Sequence, residues 1–235
     1  MMPPVLILAG GKATRMKAMA AQTPKYLMPV NAHQTFADIH LDWHSKHGFR
    51  RVFLSIGHLG EQIKNYCGDG EKWGLDIKYV EDGEHPLGTG GAVRKALQYE
   101  FDELCITYGD TLLNFSIPDF LDQFRKFNCL GALTIYENKV PGHICNADFD
   151  SPWVIYDKLK PQSDWKYLDY GFMILKRSLI EGFSKQTPLD LAQPLSESSR
   201  QKKLLGFVAR ERFWEIGSPE ALSEFQQALN MTQSS

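Results

Sequence analysis

Val5-Leu6-Ile7-Leu8-Ala9-Gly10-Gly11-Lys12-Ala13-Thr14-Arg15 is the stretch that decides the fold. A short, continuous apolar run empties into two glycines, which reads as a buried strand ending in a phosphate-binding turn. Glycines lack the Cβ that would keep main-chain N–H groups from closing around anionic oxygens. Lys12 and Arg15 add mobile positive charge, and a guanidinium can grip phosphate oxygens with two prongs. Taken alone, two glycines after a strand serve equally well as a tight turn with solvated charges. The stretch lacks the spacing of G-x-G-x-x-G and the G-K-[ST] ending of a P-loop, which disfavours a dinucleotide-dependent enzyme and an ordinary ATPase.

Outward from this point, apolar runs alternate with amphipathic segments, the rhythm of an α/β fold. Strands are expected at Val5–Ala9, Arg51–Ile56, Leu75–Val80, Leu104–Tyr108, Leu130–Tyr136, Trp153–Lys158, Tyr170–Leu175, Leu204–Ala209 and Phe213–Glu215. Helices are expected at Thr35–His47, with Thr35 as N-cap and Gly48 as the stop, and at Leu59–Tyr66, Thr89–Leu97, Ile117–Phe127 and Leu189–Ser198. Ser218-Pro219 opens a last helix, with proline at its favoured first position. A net charge of −2 argues against nucleic acid or a membrane surface as partner, and no apolar run reaches the length of a membrane span or a signal-peptide core. Cys67, Cys105, Cys129 and Cys145 form no C-x-x-C pair, so neither a disulfide framework nor a zinc site is suggested, and a cytoplasmic location fits.

Two clusters invite chemistry. Leu104–Tyr108 delivers Gly109-Asp110 at the carboxyl end of a strand, where open α/β sheets gather ligands, although a turn aspartate would look the same. His40, His44 and His47 recur at metal-ligand spacing, but no glutamate lies between the first two in the zincin pattern, and a partly solvated helix face is the expectation. Of the five tryptophans, only Trp165, with Tyr167, stands where stacking on a ligand is considered.

Leu8-Ala9-Gly10-Gly11-Lys12-Ala13-Thr14-Arg15-Met16, with Pro24-Lys25-Tyr26-Leu27-Met28-Pro29-Val30, resembles the paired signature of the sugar-1-phosphate nucleotidylyltransferases, AGGxGTR(L/M) followed by PKPMxPV. Ala13 stands where glycine is usual, and Tyr26 replaces the second proline. Gly109-Asp110, Pro86-Leu87-Gly88-Thr89-Gly90-Gly91 and Phe213-Trp214-Glu215-Ile216-Gly217-Ser218 follow in the family's order.

The resemblance implies a Rossmann-like three-layer α/β domain with a predominantly parallel mixed sheet over residues 1–235. Residues to about 136 would hold the nucleotide, and the remainder the sugar phosphate and a C-terminal helix. It further implies nucleotidyl transfer from an NTP to a sugar 1-phosphate, with Mg²⁺ as cofactor. Leu8, Ala9, Gly10, Gly11, Lys12, Ala13, Thr14, Gly88, Thr89 and Gly90 would hold the nucleotide. Arg15, Lys25 and Asp110 would be catalytic, and Asp110 with Glu215 would hold the metal. Lys158, Asp169 and Gly171 would take the sugar phosphate, with Lys160 as the alternative lysine. The likeness is strongest to the D-glycero-D-manno-heptose 1-phosphate guanylyltransferases. The N-acetylmuramate 1-phosphate uridylyltransferases and the phosphocholine cytidylyltransferases are alternatives. Ala13 and Glu215 also fit a catalytically weak nucleotide-sugar sensor, and a homo-oligomer is left open.

Overall fold

The structure is a computed structural model that describes residues 2–11, 16, 22–139 and 144–233. In chain order its elements begin with β1 (Val5–Leu8), α1 (Phe36–Lys46), β2 (Arg51–Ile56), α2 (Gly60–Cys67), β3 (Asp76–Glu81), α3 (Gly88–Lys95), β4 (Glu103–Tyr108), β5 (Thr111–Leu112) and α4 (Ile117–Lys126). They continue with β6 (Gly131–Glu137), β7 (Ala147–Asp150), β8 (Trp153–Tyr156), β9 (Tyr167–Lys176), α5 (Arg177–Glu181), α6 (Ala192–Arg200), β10 (Leu204–Ala209), β11 (Trp214–Glu215) and α7 (Pro219–Gln233). Single turns of 3-10 helix at Lys25–Leu27, Glu71–Trp73 and Ala96–Gln98 complete the set.

The chain divides into two compact units, one of Met1–His85, Tyr108–Leu112 and Phe213–Ser235, the other of Pro86–Thr107 and Leu113–Arg212. In the first, β1 and β3 flank β2 in parallel, with Val5 opposite Val52 and Val52 opposite Ile77. Val5, Leu6, Ile7, Val52 and Leu54 are fully buried, which fits parallel strands covered on both faces and explains their unbroken apolar run. Thr35 caps α1 as expected: its side chain accepts from the Asp38 amide while Asp38 accepts from the Thr35 amide. Gly48, at φ +89°, supplies the left-handed stop. Ser218 accepts the Ala221 amide at 3.2 Å and so opens α7.

In the second unit β9 lies between β4 and β6, antiparallel to both, and β10 runs parallel to β6. The hairpin β7–β8 pairs onto β10 and β9. Phe115, Phe120, Phe172 and Phe207 meet edge to face or tilted, with centroids 5.3–6.0 Å apart, and form the aromatic centre of this core.

Three expected boundaries move for identifiable reasons. β8 stops at Tyr156, not Lys158, because the Asp157 carboxylate accepts the amides of Leu159 and Lys160 at 3.0 and 2.9 Å and turns the chain. β9 starts at Tyr167, earlier than expected, since its first residues pair with β6 beyond an irregularity near Leu133. Helix α6 begins at Ala192 because Leu189–Leu191 bond to the segment Leu87–Gly90.

Candidate active site

In the first unit the glycine turn is built by close approach. The Ala9 amide donates to the Ser55 carbonyl at 3.0 Å, and the Gly109 amide to the Leu8 carbonyl at 3.0 Å. A Cβ on Gly10 would stand 3.2 Å from the Gly57 nitrogen, and one on Gly109 only 2.9 Å from the Leu8 oxygen. Gly57 is equally confined, between the Asp82 carboxylate and the Gly10 oxygen. A side chain has little room where Leu8-Ala9-Gly10, Gly57 and Gly109 crowd together, least of all at Gly109, and Gly11 is exposed, with nothing near it among the described residues. Lys12, Ala13, Thr14 and Arg15 lie outside the described residues.

Lys25 stands in the 3-10 turn Lys25–Leu27, and its ammonium donates to the Asp110 carboxylate across 85 positions of sequence. Both side chains are largely shielded, at 18% and 21% exposure, so the pair is screened by solvent less than a surface ion pair. Asp110 is held from two sides: Thr111 Oγ1 donates to its Oδ1 at 3.3 Å, and its carbonyl accepts the Ile216 amide at 2.9 Å. That second bond continues the β5–β11 ribbon, in which Glu215 faces Thr111. The sequence-predicted residues Leu8–Gly11, Lys25, Asp110 and Glu215 therefore all belong to one unit, with Glu215 one register step from Asp110 and exposed.

The remaining candidates belong to the second unit. Gly88 has φ +74°, and a Cβ there would lie 2.4 Å from the Leu189 oxygen; Gly90 would meet the Leu189 side chain at 2.8 Å. The Gly90 amide donates to the Leu189 carbonyl at 2.8 Å, and Thr89 Oγ1 accepts the Leu191 amide at 2.9 Å. These glycines are accounted for by packing against Leu189, independently of any ligand. Asp169 accepts the Gly171 amide at 2.9 Å, with Gly171 at φ +94°.

Asn146, which sequence reasoning missed, organises this neighbourhood. Its Oδ1 accepts the Asp169 amide at 2.8 Å, and its carbonyl accepts the Asp157 amide at 3.1 Å, tying Asp169 to the turn that carries Lys158 and Lys160. Nothing around Asn146 in the sequence marks it. Tyr156 is a second omission: burial, then the nearby carboxylates of Asp169, Asp190 and Asp157, push its phenol well up, and its hydroxyl has no hydrogen-bond partner among the described residues.

The histidine expectation needs correction. His40 and His44 are buried at 1% and 0% exposure, not solvated, with ring centroids 4.5 Å apart. His44 Nδ1 donates to the His40 carbonyl at 2.7 Å, and His47 stacks on Trp43 at 3.9 Å. Burial first, and the neighbouring His44, hold His40 neutral by pulling it well down. Among the described residues no three His, Cys, Asp or Glu side chains are grouped to hold a metal. All four cysteines are buried and free, and burial raises the Cys67 thiol to about 12.

The nucleotidyl transferase family profile matches residues 4–231. The chain is 28% identical to the D-glycero-alpha-D-manno-heptose 1-phosphate guanylyltransferase of Campylobacter jejuni over 94% of its own length and 97% of that protein. It is also 28% identical to the protein of the same name from Aneurinibacillus thermoaerophilus, over 95% and 97% of the two chains. The N-acetylmuramate alpha-1-phosphate uridylyltransferase of Neisseria meningitidis is 27% identical, over 94% and 96%. Among solved structures, HddC from Yersinia pseudotuberculosis shares the fold with a TM-score of 0.81 at 21% identity, covering 97% of this chain and all of that one. A putative glucose-1-phosphate thymidylyltransferase from Bacillus anthracis does so with a TM-score of 0.82 at 14% identity, covering 96% and 94%.

Proposed function

The chain belongs to the nucleotidyl transferase family, and on that premise we propose that it joins an NTP to a sugar 1-phosphate, releasing pyrophosphate and an NDP-sugar. GTP and D-glycero-D-manno-heptose 1-phosphate are the proposed pair, supported by near full-length similarity to two guanylyltransferases named for that sugar. The observation that carries the reading is the Lys25–Asp110 pair, held in the same unit as the glycine turn after β1.

The chemistry brings two polyanions together so that a sugar-phosphate oxygen attacks the α-phosphorus, and their repulsion is the main obstacle. No nucleophilic side chain is needed; positioning and charge neutralisation suffice. Lys25 takes the attacking phosphate and the α-phosphate, Arg15 the leaving pyrophosphate, and the amides of the Gly10–Thr14 stretch the triphosphate. Gly88–Gly90 hold the nucleotide base, while Lys158 or Lys160, Asp169 and Gly171 hold the sugar phosphate.

The donor set fits Mg²⁺ only as a shared ion. Asp110 and Glu215 offer two carboxylates, and Mg²⁺ is commonly bound through one or two carboxylates plus substrate phosphates. When bound, the ion would neutralise phosphate charge; the Lys25 ammonium seated on the Asp110 carboxylate supports this reading. No helix among the described residues is long and apolar enough to cross a membrane, and a cytoplasmic location for the reaction is part of the proposal.

Pyrophosphate release with Mg²⁺, measured over GTP, UTP, CTP, dTTP and ATP against heptose, mannose, glucose and N-acetylmuramate 1-phosphates and phosphocholine, tests the reading. A dominant GTP–heptose signal is expected. Another dominant pair would reassign the substrates, and silence with nucleotide binding intact would leave a sensor in place of an enzyme.

A further inference from the structure

Tyr26, which stands where the resemblance leads one to expect proline, is a residue of the signature that the proposed chemistry leaves unused. The turn that carries Lys25 is a single 3-10 turn, closed by Leu27 N–H to Pro24 O at 2.9 Å and Met28 N–H to Lys25 O at 3.1 Å, with no side-chain cap. A turn this short has little stability of its own. Of its three residues only Tyr26 is buried, at 1% exposure. Its ring lies edge-on to His40, with centroids 5.8 Å apart at 81°, and to Phe36, at 6.3 Å and 71°. His40 and Phe36 meet each other at 5.4 Å, so two residues one turn apart on α1 form the seat for the ring.

We propose that Tyr26 is a positioning residue for Lys25: its ring, seated on Phe36 and His40, fixes the turn that presents the Lys25 ammonium to Asp110. The ring performs this task without the hydroxyl, which is buried and has no hydrogen-bond partner among the described residues. His40, with neither ring nitrogen bonded among the described residues, serves as an apolar surface, a role that requires it to stay neutral. The inference rests on the reading of Lys25 as part of the catalytic centre only for its effect on turnover; the placement of the amine can be measured without substrate.

The test is the rate at which the Lys25 amine is acylated by a small anhydride, followed by peptide mass spectrometry, with exposed Lys46 as internal reference. In Tyr26→Ala, Lys25 labelling should rise roughly fivefold, the factor that the loss of one shielded ion pair represents. The turnover number should fall by about 10²-fold, as expected for a misplaced catalytic charge, with the KM for nucleotide moving less. Tyr26→Phe should restore both. Leu54→Ala, a core truncation in β2 of the same unit, outside both the turn and the Phe36–His40 seat, should leave Lys25 labelling unchanged below its melting temperature even though it lowers stability. Should Tyr26→Ala not fold, Tyr26→Leu, which keeps an apolar side chain but no ring, is read by the same criteria. Wild-type labelling in a folded ring-less variant would overturn the proposal, as would equal labelling in Leu54→Ala. Increased labelling in a protein whose wild type catalyses no nucleotidyl transfer would keep the positioning role and remove only the catalytic one.

Discussion

Taking the protein from pH 7 to pH 5 charges histidines in the unfolded chain, while His40 and His44 inside the fold resist the proton. Burial is the first cause for both; His44 is drawn from 6.5 to about 4 and His40 lies well below its ordinary value. A histidine whose folded value is lowered contributes stability above the unfolded value that drains away as the pH falls below it, because the unfolded state then binds more protons. For His44 the loss between pH 7 and pH 5 is about 2 kcal/mol, and His40 loses stability in the same direction over the same window. The His44 loss alone is a sizeable part of the ~5–15 kcal/mol that holds a typical domain folded. The carboxyls of Asp38 and Asp157 do not confuse this window. Desolvation pushes each up, but Lys72 and Tyr66 on Asp38, and the Lys160 and Leu159 amides on Asp157, hold them below 3.8, so their contribution is lost only in stronger acid. Urea unfolding at pH 7, 6 and 5 and constant ionic strength measures the slope, and His40→Leu, which keeps the apolar contacts, should reduce it. A His40→Leu protein with the wild-type slope would refute the reasoning, since His40 would then not be a neutral core residue.

Lys25→Ala and Asp110→Ala should each lower turnover by at least ~10²-fold with the fold retained, measured as pyrophosphate release and circular dichroism; near-normal turnover in Asp110→Ala removes it from the mechanism. Gly88→Ala forces a side chain into a left-handed backbone and against the Leu189 oxygen, and should cost about 2 kcal/mol or more of stability in thermal or urea melts. Chelation of divalent ions should abolish turnover, with Mg²⁺ restoring it, and Glu215→Gln should raise the Mg²⁺ concentration required, read from a metal titration of the rate.

What could be read from the sequence was local. The apolar run of β1, the Thr35 N-cap at the start of α1 and the Ser218-Pro219 entry to α7 each depend on neighbours a few residues away, and all three stand in the structure. The β7 strand was missed because its alternation, Ala147-Asp148-Phe149-Asp150, runs for only four residues and two of them are aspartates, which are depleted in strands. Histidines at helical spacing look alike whether they face water, metal or core, and only the packing of Tyr26 and Phe49 against α1 decides among these. Gly88 and Gly90 illustrate the same limit: the group that forbids a side chain there is Leu189, a hundred positions away, and no local pattern announces it. The meeting of Lys25 and Asp110 was legible only through the resemblance of two separated motifs, since neither residue's surroundings in the sequence name the other.

The central claim is that this chain performs nucleotidyl transfer through Lys25 and Asp110. Its most direct test is the rate of GDP-heptose formation from GTP and D-glycero-D-manno-heptose 1-phosphate, by chromatography, for the wild type beside Lys25→Ala. The expected result is stoichiometric GDP-heptose and pyrophosphate from the wild type and at least a ~10²-fold slower rate from the variant. Equal rates, or no nucleotide sugar from a wild-type protein that still binds GTP, would contradict it.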